Sequence, residues 1–141
     1  MQIARWLTFG VALVAVLTFS IQGISAAQMG MADALKTAIT HAGLAGKSDT
    51  MRDVSLHLRH VINCLAGPND KMFNKAAGNP CQGQGNGIMP DIKAKMGQDQ
   101  EYHVAWWLAH VAQEAVSMGN LAQAKAAAHL IEVELTSMSK M

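Results

Sequence analysis

This sequence has no large excess of charge of either sign, and it has few charged residues altogether. Lysine and arginine number 11, aspartate and glutamate number 10, and together they make up 15% of the 141 residues. Domains that bind nucleic acid carry a basic patch or stripe, and many interaction tails are blocks of like charge. Neither pattern occurs here, so we expect no nucleic acid among the partners of the protein.

Long apolar runs are also missing, except near the N-terminus. Residues 1–5 carry one positive charge, an apolar run follows at 6–21, and Ser25-Ala26-Ala27 supplies small residues. This is the layout of a secretory signal peptide, and the run is shorter than the about 20 residues that a membrane span needs. We expect 1–27 to be cleaved and 28–141 to be one periplasmic domain without membrane attachment. An uncleaved N-terminal anchor is the alternative.

Cysteine occurs only twice, at Cys64 and Cys81, and no Cys-x-x-Cys-His motif is present. The missing motif excludes covalent attachment of haem. In an oxidising compartment, an even number of cysteines predicts one disulfide, here closing a loop of about 18 residues. A metal site made of free thiols is the alternative.

Motifs for catalysis are lacking as well. No serine or cysteine nucleophile lies in a recognisable setting, and carboxylates are few. Glu114 and Glu132 do not form the paired Glu-x-x-His pattern of di-iron carboxylate bundles. We therefore expect a protein that is not an enzyme.

Alternation of apolar and polar residues is absent over any useful length, so strands are not expected. Apolar residues instead recur at intervals of three and four, and Ser48-Asp49 is a predicted N-cap. The helical stretches lie at about 31–45, 50–65, 98–118 and 121–138. Short links at 46–47 and 119–120 force antiparallel neighbours. The sequence thus predicts an all-α four-helix bundle made of two helical hairpins.

A connection of 32 residues, 66–97, joins the two hairpins and is rich in glycine, proline and asparagine. Connections of this length usually contain structure of their own or carry function. We predict short helices at 70–77 and 90–96, with Pro90 at the first position of the second one. The expected disulfide would pin the first half of the connection to the end of the second long helix.

All six histidines fall within predicted helices. His57 and His60 lie along one side of the second long helix, and His110 and Glu114 share a line on the third. Neutral imidazole is the commonest metal ligand, and bundles build metal sites from inward-facing side chains. These four residues therefore predict a site for Cu, Zn, Ni or Fe.

The remaining histidines are further candidate ligands. His103 lies on the same line as His110, His129 neighbours Glu132, and His41 stands alone on the first helix among alanines. The histidines of the second and third helices sit at the flank of the apolar stripe. The alternative interpretation is therefore that they are ordinary boundary residues, satisfied by water or a neighbouring carboxylate.

The signal peptide, the two hairpins and the histidine-bearing segment THAGLAGKSDTMRDVSLHLRH resemble the small periplasmic metal-binding proteins of proteobacteria. The resemblance covers 31–60 and 103–135. It implies a four-helix bundle that binds copper and other divalent ions, with the six histidines as ligands. The chain departs from that family in having cysteines and fewer histidines, and the segment 60–91 has no counterpart there.

Three functions follow from these observations. The first is non-enzymatic binding of a divalent transition metal in the periplasm, with the ion and a further periplasmic protein as partners. The second is a metal-free interaction or scaffold protein that presents the disulfide-pinned connection. The third is non-covalent haem bound between histidines of facing helices.

Overall fold

The fold is described by a computed structural model, for residues 26–96 and 100–140. Its α-helices are α1 (Ala26–Lys47), α2 (Met51–Ala66), α3 (Ile88–Met96), α4 (Gln100–Met118) and α5 (Leu121–Met138), and this part of the chain contains no β-strand. The all-helical prediction is confirmed. Residues 1–25, which carry most of the expected signal peptide, lie outside the described residues. Over the described ranges, no helix is both long and apolar enough to cross a membrane.

Side chains satisfy the backbone groups at the two helix ends that meet at the link between α1 and α2. Thr50 is the N-cap of α2 and accepts a hydrogen bond from the backbone N–H of Asp53 at 3.1 Å. The predicted cap at Ser48-Asp49 is therefore wrong by one to two residues. Ser48 instead donates its hydroxyl to the Leu44 carbonyl at 2.8 Å, which satisfies an acceptor in the last turn of α1.

The four long helices contact one another in a closed ring. α1 packs against α2 and α5, and α4 packs against the same two helices. Leucine and isoleucine side chains from α2, α4 and α5 fill the centre, where Leu58, Leu65, Leu108, Ile131 and Leu135 are fully buried. α1 contributes small side chains to this core, namely Ala34, Ala38, Ala42 and Ala45. Because alanine has only a methyl group, the backbone of α1 can come close to its neighbours.

The connection between the hairpins, described from 66 to 96, lies against the ring. It contains a single 3₁₀ turn at Lys75–Ala77 and then α3. The helix predicted at 70–77 is thus reduced to one turn, because Asn74 caps it and Gly78, with φ 84°, ends it. The second predicted helix is present but begins at Ile88, so Pro90 lies within its first turn and not at its first position. There its missing N–H costs nothing.

The predicted disulfide is present. Cys64, near the end of α2, is bonded to Cys81, and their Cα atoms are 5.3 Å apart. A second close connection to the end of α2 forms where the backbones of Gly67 and Gly87 are in contact. A Cβ on Gly87 would lie 2.6 Å from the Gly67 Cα. Only glycine fits at this crossing, which holds the end of α2 against the start of α3.

Candidate metal centre

Three of the six histidines converge between α1 and α2. His41, His57 and His60 each offer one ring nitrogen, and these nitrogens all lie within 4.8 Å of one another. We call these residues the histidine cluster. Each of the three is partly buried, so the cluster lies at the edge of the apolar core.

The geometry of the first hairpin explains why these residues meet. His41 precedes the end of α1, at Lys47, by six residues, and His57 follows the start of α2, at Met51, by six residues. In an antiparallel pair, residues at equal distances from the turn lie at the same height, here about 9 Å along each axis at 1.5 Å per residue. His60 follows His57 by three residues, so it projects from nearly the same side of α2.

The ring nitrogens are as close as ligands of one ion. The Nδ1 atom of His41 lies 3.1 Å from Nδ1 of His57 and 3.3 Å from Nδ1 of His60. A tetrahedral ion with metal–nitrogen bonds of about 2.05 Å holds its nitrogen ligands about 3.3 Å apart. Both pairs that include His41 already have this spacing.

A backbone carbonyl fixes the tautomer of His60. The Nε2 atom of His60 lies 2.7 Å from the Ala77 carbonyl oxygen. A carbonyl oxygen only accepts, so Nε2 carries the hydrogen and donates it. In the neutral ring, Nδ1 is then left with a lone pair that faces the cluster. Metal-bound histidines are commonly oriented in this way, by a hydrogen bond from the other ring nitrogen.

Hydrogen bonding alone does not satisfy the cluster. The Nδ1 atom of a neutral His41 has either one hydrogen or one lone pair, yet it faces His57 and His60 at once. It can therefore make one full hydrogen bond and not two. A cation among the three Nδ1 atoms would accept a lone pair from each ring.

Burial and neighbouring side chains favour the neutral form of His41 and His57. Burial, followed by the neighbouring His60 and His57, lowers the pKa of His41 from 6.5 to about 4. Burial and His60 also lower the pKa of His57, although Asp53 opposes this change. Imidazole must be neutral to bind a metal, so a proton does not compete with an ion at His41 near neutral pH.

The other predicted ligands lie elsewhere. The sequence grouped His110 and Glu114 with His57 and His60, whereas the group that the structure brings together contains His41 instead. His110 donates from Nδ1 to the Trp106 carbonyl at 2.8 Å and stacks on the Trp106 ring, with ring centroids 3.9 Å apart. Glu114 is exposed and lies beside Ser117 of its own helix.

The last two histidines are exposed on single helices. His103 contacts only the neighbouring ring of Tyr102 among aromatic side chains of the described residues, at a centroid distance of 5.8 Å. His129 lies 3.7 Å from the carboxylate of Glu132, one turn along α5. Neither joins a group of three potential ligands within the described ranges.

Sequence reasoning left His41 without a partner, although one signal was available. Its distance from the link between the first two helices equals that of His57, and an antiparallel hairpin was already predicted. Ala38, Ala42 and Ala45 around it are fully buried. They let α1 approach α2 closely enough for imidazoles from both helices to touch.

Comparisons of the chain with protein-family models, with curated proteins and with solved structures find no match.

Proposed function

We propose that this protein binds one divalent transition-metal ion through His41, His57 and His60. The observation that carries the proposal is the convergence of three Nδ1 atoms, two pairs of which are 3.1 and 3.3 Å apart. Imidazole nitrogens suit Zn, Cu, Ni and Fe, so the ligand set favours these metals over Mg or Ca. The ring of four long helices, which we interpret as a four-helix bundle, would provide the rigid frame.

The proposed role is handling of the ion and not catalysis. Structural zinc sites are closed by four protein ligands, whereas three ligands leave a coordination position open. An open position allows water or a donor from another protein to take part in ion exchange. The sequence contains no recognisable nucleophile, and its signal peptide and paired cysteines fit export to the periplasm. The ion, and a periplasmic protein that exchanges it, would be the partners.

A single ion fits the cluster better than haem does. Two axial histidines of a haem lie on opposite faces of a wide, flat macrocycle. In the cluster, the ring centroids of His41 and His60 are only 4.5 Å apart and those of His41 and His57 are 5.4 Å apart. A haem between these rings would have to separate α1 from α2.

Calorimetric titration of the untagged protein with Cu²⁺ and with Zn²⁺ at neutral pH tests the proposal. We expect binding of both ions, tighter for copper because divalent copper leads the general affinity order. His41→Ala, His57→Ala and His60→Ala should each weaken binding by more than the ~10–100-fold typical of outer-shell changes. His103→Ala and His129→Ala are matched controls, because they remove exposed histidines, and they should bind like the parent.

Two results would contradict the proposal. One is that neither ion binds with a dissociation constant below about 100 micromolar, roughly −5.5 kcal/mol of binding free energy. The other is that the triple variant of the cluster binds as well as the parent. Either result would make the three histidines boundary residues and would favour the metal-free scaffold function.

A further inference from the structure

Three residues on one face of α2 attach the same piece of the connection. Asn63 and Cys64 follow His60 by three and four residues, so all three share a face in the last two turns of α2. Each of them contacts residues 74–81, which we call the tethered turn. His60 donates to the Ala77 carbonyl of this turn at 2.7 Å.

Asn63 holds the tethered turn on both sides of Ala77. Its side chain is 1% exposed. Its Oδ1 accepts from the N–H of Asn74 at 2.7 Å, and its Nδ2 donates to the carbonyls of Asn74 and Gly78 at 2.9 and 2.6 Å. The Ala77 carbonyl, which accepts from His60, is therefore held in place by hydrogen bonds of Asn63 to Asn74 before it and to Gly78 after it.

The disulfide closes the same unit covalently. Cys64 lies one helical turn after His60, and Cys81 lies four residues after Ala77. The two cysteines are 0% and 7% exposed, respectively. The sulfurs are therefore shielded from a reductant while the tethered turn is in place. Opening of the turn also removes the Ala77 carbonyl from His60.

Given the proposed metal site, we infer that Asn63 and the Cys64–Cys81 bridge are positioning elements for His60, and that metal affinity is coupled to the oxidation state of the bridge. When the turn is held, Nε2 of His60 keeps its hydrogen and Nδ1 keeps the lone pair that binds the ion. When the turn is released, the hydrogen can move to Nδ1, and that tautomer cannot bind an ion within the cluster.

The coupling must act in both directions. Reduction of the bridge takes two electrons and two protons from two thiol molecules, which leave as one disulfide, while Cys64 and Cys81 become thiols. If an intact bridge tightens metal binding by a factor, a bound metal opposes reduction by the same factor. We expect this factor to be ~10–100, the usual effect of outer-shell partners on metal affinity.

The first experiment compares three variants of the full mature chain. Cys64→Ala with Cys81→Ala removes the bridge, Asn63→Leu removes the hydrogen bonds to the turn, and Asn120→Ala removes the N-cap of α5, which accepts from Gln123 at 3.0 Å. The last variant is the matched control, because it destabilises a helix that does not contact the 3₁₀ helix Lys75–Ala77 of the tethered turn. We expect the first two to bind Zn²⁺ ~10–100-fold more weakly than the control.

A nitrogen–proton correlation spectrum of the metal-free protein separates positioning from simple stabilisation. His60 should show the Nε2–H tautomer alone in the parent and in Asn120→Ala, and a mixture of tautomers in the other two variants. If the parent binds zinc and all three variants bind it equally, the inference is wrong while the proposed function stands. If the parent binds neither zinc nor copper, the proposed function itself fails.

The second experiment needs no substitution, so it remains decisive if a variant does not fold. The parent is equilibrated in glutathione redox buffers, with and without free zinc held at a hundredfold excess over the zinc dissociation constant of the variant that lacks the bridge. Zinc should shift the reduction equilibrium of the bridge toward the disulfide by the factor measured as the affinity loss. An unchanged equilibrium, or easier reduction with zinc, would overturn the coupling.

Discussion

Gly87 crosses Gly67 at such close range that a Cβ on Gly87 would lie 2.6 Å from the Gly67 Cα. The crossing joins the end of α2 to the start of α3, three residues after Cys64 of the disulfide. It also places Gly87 at φ 116°, which side chains of L-residues rarely adopt. Two separate costs therefore oppose any side chain at this position.

Substitution of this glycine should destabilise the fold. We expect Gly87→Ala to lower the free energy of unfolding by more than the ~1–3 kcal/mol of backbone strain alone, because the methyl group also meets backbone. Gly78→Ala measures the backbone strain alone, because Gly78 has φ 84° and nothing lies within 4 Å of an added Cβ. Gly46 lies in α1 with open space where a Cβ would be, so Gly46→Ala should raise the free energy of unfolding by ~0.4–1 kcal/mol. Urea unfolding measures the stability of the three variants. An equal loss of stability in Gly87→Ala and Gly78→Ala would contradict the close contact at Gly87.

The metal-free protein should lose stability in mild acid because of His41. Its pKa is about 4 when folded and 6.5 when unperturbed. Between these values the unfolded chain binds more protons, so the free energy of unfolding falls as pH drops from roughly 6.5 towards 4. His41→Gln should show a smaller drop between about pH 7 and about pH 4.5. His103→Gln, at an exposed histidine, should follow the parent. An identical drop in all three proteins would show that His41 is not desolvated.

A bound ion should protect the folded state. Binding only to the folded protein adds ~2.7 kcal/mol of stability at a free concentration one hundred times the dissociation constant. We expect the melting temperature to rise with zinc in the parent and in His129→Ala, and to stay constant in His41→Ala. An equal rise in His41→Ala would place the ion outside the histidine cluster.

Export should remove the N-terminal segment. Expressed in a Gram-negative host, the protein should be released by osmotic shock and begin near Gln28, because small residues precede that position. Mass spectrometry of the intact protein checks the cleavage. Recovery of the chain with Met1 in carbonate-washed membranes would show an uncleaved anchor instead.

Helix periodicity predicted the fold class well because it depends on local spacing alone. The apolar positions of α2, α4 and α5 follow intervals of three and four, and the helices form where these intervals occur. The disulfide was also predictable, since only one pairing exists for two cysteines. Helix ends were less predictable, because both Ser48 and Thr50 can cap a helix and the choice depends on the turn between α1 and α2.

The composition of the site was predicted only in part. His57 and His60 follow from α2 alone, but which helix supplies the next ligand depends on packing between helices. The sequence pointed to His110 as the next ligand. In the structure His110 is not part of the histidine cluster, and its Nδ1 instead donates to the Trp106 carbonyl of its own helix. The roles of Asn63 and Ala77 could not be predicted from the sequence. Their hydrogen bonds form only when a turn eleven or more residues away in sequence folds against α2.

α2 belongs to two closed circuits at once. A metal at the histidine cluster would join His41 to α2 across the first link, and the disulfide joins α2 to Cys81 across the connection. The first circuit ends at His60 and the second begins at Cys64, one helical turn later on the same face of α2. That one turn of α2 therefore holds the last histidine of the first circuit at a fixed position relative to the first cysteine of the second.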